Sequence, residues 1–334
     1  MKKKAILIGN ADNRIDYVYT QEMMERLQEQ VELYPERITP DNLGAHAEAL
    51  RETELAFSTW GMCRLEEEQI RQYFPKLKLV LYAAGSVKSF AEPLLASGVR
   101  VTSAQSANAV PVAEYTAAQI VLANKGYYQA ASKYKASVAD AKAYYRTFPG
   151  NYRTKVGIIG AGRIGRGVIQ RLSGYEIDFL VFDPYLPEEG AEALGVQKAS
   201  LETLFAACQT ISNHLANNPE TVGMLNGSLF DRMLPNATFI NTGRGAQVVE
   251  ADLVRALQAE PARTAILDVT YPEPAKEGHP FLTMDNVIIT PHISGSFNQE
   301  VARMAEFMLE EAASYASGEE LRYEIHQQDL ATLG

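Results

Sequence analysis

Four short segments hold most of the side chains able to do chemistry. They are Asn213-His214, Asn241-Thr242-Gly243-Arg244-Gly245, Asp268-Val269-Thr270-Tyr271-Pro272-Glu273-Pro274 and Thr290-Pro291-His292-Ile293-Ser294-Gly295. An imidazole titrates close to neutral pH and suits proton transfer. A planar guanidinium holds a carboxylate through paired hydrogen bonds better than an ammonium does. Taken singly, each candidate has an ordinary structural reading: His292 as a satisfied histidine at a strand end, Glu273 as a turn residue, Arg244 as a surface ion-pair partner. What sets them apart is shared placement, since an arginine, a glutamate and a histidine follow successive predicted strands.

Those strands belong to a larger pattern. The run Val156-Gly157-Ile158-Ile159 is short and β-branched, as a strand covered on both faces should be. It leads into Gly160-Ala161-Gly162-Arg163-Ile164-Gly165, and Arg166 to Leu172 reads as a helix. A second apolar run, Phe179-Leu180-Val181-Phe182, ends in Asp183. A bare glycine pattern is weak, but strand, turn, helix, strand and acid in this order form a dinucleotide-binding unit. Gly160 permits the tight turn, Gly162 lets the backbone approach a pyrophosphate, and Gly165 lets the helix pack closely on the sheet. The helix N-terminus offers its free N–H groups to the phosphates. Asp183, which could otherwise only cap the turn before Pro184, would bond the ribose hydroxyls and repel a 2′-phosphate. NAD(H) is therefore expected over NADP(H).

Further strands are predicted at Thr210 to Asn213, Ala237 to Asn241, Thr264 to Val269 and Val287 to Thr290, so the second sheet occupies roughly residues 110 to 293. In an open parallel sheet, ligands sit at the carboxyl ends of the strands. Arg244, Glu273 and His292 all fall there and are placed to converge on a nicotinamide. Upstream, strands at Ala5 to Ile8, Val31 to Leu33, Leu55 to Ser58, Leu79 to Tyr82 and Val99 to Thr102 alternate with helical stretches such as Gln21 to Gln28 and Glu66 to Tyr73. This is a second small parallel sheet without a nucleotide fingerprint. A breaker-free helix is expected to start near Pro111 and run to Asn124 as a rigid connection. The stretch Tyr127 to Tyr152, rich in Ala, Lys and Tyr, is expected to project and pack on a neighbouring subunit. Ser296 and Gln299 form a candidate capping box for a final amphipathic helix, Glu300 to Tyr315.

Composition bounds the function classes. With 334 residues, the chain is long enough for two cores, and 46% hydrophobic with 22% charged residues is an ordinary globular composition. A formal net charge of -10 argues against a nucleic-acid partner, whose phosphates require a basic surface. The N-terminal apolar run is too short for a signal peptide, and no stretch has the apolar length of a membrane span. Two distant cysteines, Cys63 and Cys208, make neither a disulfide framework nor a metal motif, so a cytoplasmic location is expected. No His, Cys or carboxylate set has metal spacing, and no Gly-x-Ser-x-Gly elbow points to a hydrolase. His46, His279 and His326 lie outside any motif and read as surface residues.

The four segments, in this order after the glycine fingerprint, resemble the D-isomer-specific 2-hydroxyacid dehydrogenase family from about Leu77 to Gly295. The resemblance implies an α/β protein of two doubly wound parallel-sheet domains. A Rossmann NAD-binding domain (109–296) would be inserted in a flavodoxin-like substrate domain (1–108 with 297–334), with the active site in the cleft and a homodimer as the assembly. It implies His292 as acid/base, with Glu273 accepting a hydrogen bond from the ring and favouring imidazolium. Arg244 would bind the substrate carboxylate and polarise its carbonyl. Asp268 would orient the nicotinamide carboxamide. Arg163 and Ile164 would lie over the pyrophosphate, with His214, Thr242 and Gly243 in the cofactor pocket. Gly85, Ser86 and Val87 match the family's substrate-carboxylate loop.

Departures fall where the substrate binds. The family commonly has a second glycine and then Asp-Asn, whereas this chain reads Ala83-Ala84-Gly85-Ser86-Val87-Lys88-Ser89-Phe90. Val87 is expected to narrow the loop, and Lys88 adds a charge. Ala216 and Asn218 replace the usual proline and threonine. Formate-oxidising members carry glutamine in place of Glu273, which disfavours that activity. The end at Gly334 disfavours a long phosphoglycerate dehydrogenase and leaves a short form open. The expected function is a 2-oxoacid reductase acting on a small-molecule substrate. The alternative is an NAD(H)-binding regulatory or corepressor-like protein, which would bind NADH and respond to partners without turnover.

Overall fold

The computed structural model describes residues 2–12 and 14–331. The described residues divide into two compact units: one comprises those up to Asn108 and those from Ser296, the other Ala109–Gly295.

In the first unit, β1 (Lys3–Leu7), β2 (Val31–Leu33), β3 (Leu55–Ser58), β4 (Leu79–Tyr82) and β5 (Arg100–Ser103) are parallel in the order 2-1-3-4-5. This is the flavodoxin-like order that the family resemblance implies. Alternation along the strands divides the core in two. Ala5, Leu7, Leu55, Phe57, Leu79 and Leu81 pack on one face with Met23, Leu27, Met304 and Met308. Ile6, Ala56, Val80 and Tyr82 pack on the other with Phe74, Phe90 and Leu94. A two-residue strand, Glu324–Ile325, pairs antiparallel with β5 and was not predicted, since two residues carry no periodicity. It is held by a two-pronged Arg100–Glu324 ion pair and by the buried Glu311 carboxylate, which accepts the N–H groups of Arg322 and Tyr323 at 3.0 and 3.1 Å.

The second unit holds β6 (Thr154–Ile159), β7 (Ile177–Phe182), β8 (Gln197–Lys198), β9 (Thr210–Asn213), β10 (Thr238–Asn241), β11 (Thr264–Leu267) and β12 (Val287–Ile289). The sheet order is 8-7-6-9-10-11-12 and every pairing is parallel. Counted from β6, its first six strands follow the Rossmann order 3-2-1-4-5-6, and the order reverses at β6, immediately before the glycine fingerprint. Gly157 within β6 clears space for a neighbour, because a Cβ there would lie 2.3 Å from Leu204 Cδ2.

Two local expectations are corrected. The helix expected from Pro111 is Gln105–Ala123, with Pro111 inside it. The Ser103 hydroxyl accepts the Gln105 N–H at 3.3 Å and Asn108 already bonds back to Ala104 at 3.0 Å, so the helix is established before the proline removes one donor. The Ser296–Gln299 capping box is absent. The Ser296 hydroxyl makes no hydrogen bond among the described residues, and the Glu300 carboxylate takes the Phe297 N–H at 3.2 Å; the final helix is Val301–Ser317. Tyr127 to Tyr152 contains two helices, Tyr127–Ala136 and Val138–Tyr145, with Ser137 as the cap between them.

Candidate active site

The fingerprint has the geometry its residue types imply. Gly160 sits at φ +91, and a Cβ there would lie 2.7 Å from the His214 carbonyl oxygen. At Gly165 a Cβ would lie 2.1 Å from the Gly160 carbonyl oxygen. Gly162, by contrast, is the N-cap of the helix Arg163–Arg171, and a Cβ on it would meet nothing within 4 Å. No side chain caps that helix start, Gly162 and Arg163 are exposed, and Ile164 is half-buried. An open backbone surface at an uncapped helix N-terminus fits an approaching pyrophosphate. Asp183, at the end of β7, accepts the N–H of Ala161 at 2.6 Å and of Tyr185 at 2.8 Å. Its carboxylate thus binds the fingerprint turn directly, as well as making the turn cap before Pro184.

The loops after β9 and β10 are fixed by buried amide side chains that the sequence reading left without roles. Asn213 Nδ2 donates to Asn241 Oδ1 at 3.0 Å and to Gln247 Oε1 at 2.7 Å. Gln247 Nε2 returns to the carbonyls of Leu215 and Ala216 at 2.9 and 3.0 Å, and Asn241 Nδ2 reaches the Arg244 carbonyl at 3.2 Å. Asn213 and Asn241 were visible as polar strand ends. Gln247 carried no signal, because its partners lie about thirty residues away in sequence. Gly243 fits tightly among these amides. Arg244 emerges exposed, with Nη1 donating to the Gly243 carbonyl at 2.7 Å.

His214 and Thr242 are buried. The His214 ring lies 3.0 Å from Ser212 Oγ and 3.5 Å from Thr242 Oγ1, and burial lowers its pKa to about 3, so it is a neutral imidazole.

The histidine turn is built on Asp268. This carboxylate is only 1% exposed and accepts Thr290 Oγ1 at 2.6 Å, the Ile293 N–H at 2.8 Å and the Ser294 N–H at 2.8 Å. The His292 N–H bonds the Asp268 carbonyl at 3.1 Å. Held from both sides, His292 takes φ +54, a conformation uncommon for a residue with a Cβ. Its exposed ring places Nδ1 2.5 Å from Glu273 Oε1. Glu273 lies between two prolines whose preceding peptide bonds are both cis. The Arg244 turn abuts the Glu273 loop, since a Cβ on Gly245 would lie 2.1 Å from the Thr270 carbonyl carbon. Arginine, glutamate and histidine therefore project from three adjoining loops at one end of one sheet.

In the other unit, Gly85 and Ser86 are half-buried, and the Ser103 hydroxyl meets the Gly85 carbonyl at 2.6 Å. Val87 does not narrow this loop, because its side chain is fully buried in the core beside Phe90. Lys88 is half-buried, which lowers its pKa below the usual lysine range. Two histidines read as surface residues are instead engaged. His46 bonds Tyr34 OH at 3.0 Å, and half-buried His279 pairs with Glu250 at 3.2 Å; His326 is exposed. Among the described residues there is no group of side chains that could hold a metal ion, and no helix is long and apolar enough to cross a membrane.

The second unit is thus a doubly wound sheet with an open glycine turn, an aspartate bound to that turn, and a histidine–glutamate pair at its strand ends. The family model for the D-isomer specific 2-hydroxyacid dehydrogenase NAD binding domain matches residues 118–294. The chain belongs to the D-isomer specific 2-hydroxyacid dehydrogenase family, and NAD(H) is its cofactor. It is 32% identical over 231 residues to D-3-phosphoglycerate dehydrogenase of Archaeoglobus fulgidus, covering 69% of this chain and 43% of that protein. It is 31% identical over 235 residues to the enzyme of that name from Rattus norvegicus, covering 70% and 44%. The matched region thus spans less than half the length of these relatives. Among solved structures, a phosphoglycerate oxidoreductase from Rhizobium etli is similar with a TM-score of 0.81 at 22% identity, covering 97% of this chain and 99% of that one. D-mandelate dehydrogenase of Rhodotorula graminis is similar with a TM-score of 0.79 at 18% identity, covering 98% of each. Both share the fold of two parallel-sheet domains.

Proposed function

We propose that the protein is an NAD-dependent D-2-hydroxyacid dehydrogenase that works as a 2-oxoacid reductase. The observation that carries the proposal is the 2.5 Å contact between His292 Nδ1 and Glu273 Oε1. With Nδ1–H donated to the carboxylate, Nε2 is the ring atom left to exchange a proton with the substrate oxygen. Bound NADH supplies the hydride that reduces the substrate carbon. Arg244 has one guanidinium N–H tied to the Gly243 carbonyl, and its other donors are available to hold the substrate carboxylate and polarise the carbonyl. Asp268 Oδ2 accepts one bond from the protein and retains a lone pair for the nicotinamide carboxamide, while its other bonds fix the His292 turn. Gly160, Gly162, Arg163, Ile164 and Gly165 surround the pyrophosphate, Asp183 takes the adenosine ribose, and His214, Thr242 and Gly243 back the cofactor pocket.

In the first unit, the backbone N–H groups of Gly85, Ser86 and Val87 are the proposed carboxylate contacts. The name D-3-phosphoglycerate dehydrogenase, carried by the relatives, agrees with a 2-hydroxyacid substrate. A homodimer is proposed through Tyr127 to Tyr152, supported by the exposed Tyr127, Tyr134, Val138, Tyr145 and Tyr152. The proposed compartment is the cytoplasm, supported by two free, buried cysteines.

The test is NADH oxidation, followed by absorbance, against a panel of 2-oxoacids including glyoxylate, hydroxypyruvate, pyruvate and branched-chain analogues. Turnover of at least one acid, lost in His292→Asn, is the expected result. Tight NADH binding with no turnover of any acid would overturn the reductase reading.

A further inference from the structure

The loop that carries Glu273 is held at both ends by one side chain that has no part in the scheme above. Glu250 is the first residue of the helix Glu250–Ala259. Its Oε1 accepts the Tyr271 N–H at 2.8 Å, two positions before Glu273, and its Oε2 lies 3.2 Å from His279 Nε2, six positions after it. The pair is sheltered, with Glu250 and His279 side chains 14% and 20% exposed.

The geometry also assigns the His279 tautomer. The Phe281 N–H points at His279 Nδ1 at 3.3 Å, so Nδ1 is an acceptor. The ring proton therefore sits on Nε2 and is donated to Glu250. The Phe281 ring, itself buried, packs against the imidazole at a centroid distance of 4.6 Å and fixes its plane. Glu250 thus presents each carboxylate oxygen to one donor. Burial is the largest influence on it and raises its pKa, opposed by the Tyr271 N–H and by His279. Between these two ends Tyr271, Pro272, Glu273 and Pro274 are all exposed, and the Thr270 hydroxyl holds the Pro272 carbonyl at 2.9 Å. Glu250 also follows closely on the turn that carries Arg244, so one short stretch of chain bears the arginine and clamps the loop of the glutamate.

We propose that Glu250 and His279 are positioning residues. The Glu250 carboxylate, bridging the Tyr271 N–H and the His279 Nε2–H, sets the point at which Glu273 meets His292. This rests on the reading of His292 and Glu273 as the proton-transfer pair.

The test follows the His292 ring by imidazole NMR in the cofactor-free protein. The chain has five histidines, so the resonance can be assigned by single substitutions. At a pH where the ring is neutral, Glu273→Gln should shift the His292 Nδ1 nitrogen resonance toward that of an unprotonated ring nitrogen, because the carboxylate that holds the Nδ1–H tautomer is gone. Glu250→Gln keeps one acceptor oxygen and turns an amide toward the other donor. It should shift the resonance in the same direction by roughly half as much and add nothing in the Glu273→Gln background, since it acts through Glu273. His279→Gln, which leaves the Tyr271 bond intact, should move it in the same direction and serves if Glu250→Gln does not fold. A clamp that matters only for stability would lower the melting temperature and leave the His292 resonance where it was, and that result overturns the proposal. If Glu273→Gln itself leaves the resonance unmoved, the proton-transfer reading beneath the proposal falls instead.

Discussion

Replacing Gly162 and Gly165 separately with alanine should split cofactor binding from folding. At Gly165 the added methyl would stand 2.1 Å from the Gly160 carbonyl oxygen and 3.2 Å from Ile158 Cγ2. A carbon and an oxygen at van der Waals contact are more than about 3 Å apart, so helix and turn must separate by about 1 Å. Neither can give way cheaply, because the first contact is backbone and Gly160 is pressed against the His214 carbonyl. Overpacking of this kind costs about 1–3 kcal/mol, which for a unit of this size lowers the melting temperature by roughly 2–12 °C. At Gly162 the methyl meets no protein atom within 4 Å, and the backbone, at φ -74 and ψ -161, accepts a side chain. Alanine is a poorer N-cap, so a loss of up to about 1 kcal/mol is allowed there. The methyl nevertheless stands where the pyrophosphate should approach. Losing one or two charge-assisted bonds to backbone N–H groups corresponds to roughly ten- to a hundredfold weaker NADH binding. The assays are thermal melting of the cofactor-free protein and NADH fluorescence titration. Gly162→Ala binding NADH as tightly as the parent would refute the reasoning, as would Gly165→Ala melting unchanged.

Asp183→Ser should narrow the preference for NADH over NADPH by about tenfold or more, because it removes an anion from the ribose end of the fingerprint. Comparing kcat/KM for the two cofactors tests this, and an unchanged ratio would mean that Asp183 only ties the Ala161 and Tyr185 amides. Glu273→Gln should cut kcat at least about tenfold while leaving NADH affinity intact; an unchanged kcat counts against the pair. His214 supplies a stability test. Burial lowers its folded pKa from 6.5 to about 3, so the unfolded chain binds the proton first as pH falls. Its contribution is fully present above the unfolded pKa and is lost progressively between about 6.5 and about 3. His214→Gln should therefore lose less melting temperature than the parent between about pH 7 and about pH 5, and equal losses would show that this histidine does not set the acid limb of stability.

Much of the fold was legible because its signals are local. Short apolar runs marked strands such as Leu55–Ser58 and Leu79–Tyr82 to the residue. The glycine spacing set the reversal point of the second sheet, and polar strand ends marked the loops where Arg244, Glu273 and His292 are found. What was missed depends on partners distant in sequence. Gln247 is joined to Asn213, and His279 to Glu250, across about thirty residues, and nothing in their neighbourhoods announces either bond. Val87 was misread because a loop position gives no indication of whether its side chain faces a ligand or the core. The helix expected from Pro111 began earlier because the Ser103 hydroxyl, two residues before its first turn, supplies the cap while the proline deletes a single donor. At Gln247, His279 and Val87 a tertiary contact decided what the local sequence left open.

The proposed reaction moves a hydride to the C2 carbon of a 2-oxoacid and a proton to its oxygen. The decisive measurement supplies NADH deuterated at both C4 positions and determines the configuration and the isotope at C2 of the product. The expected product is a D-2-hydroxyacid carrying one deuterium at C2, formed by the parent and not by His292→Asn. An L product, or a D product without label, would contradict it.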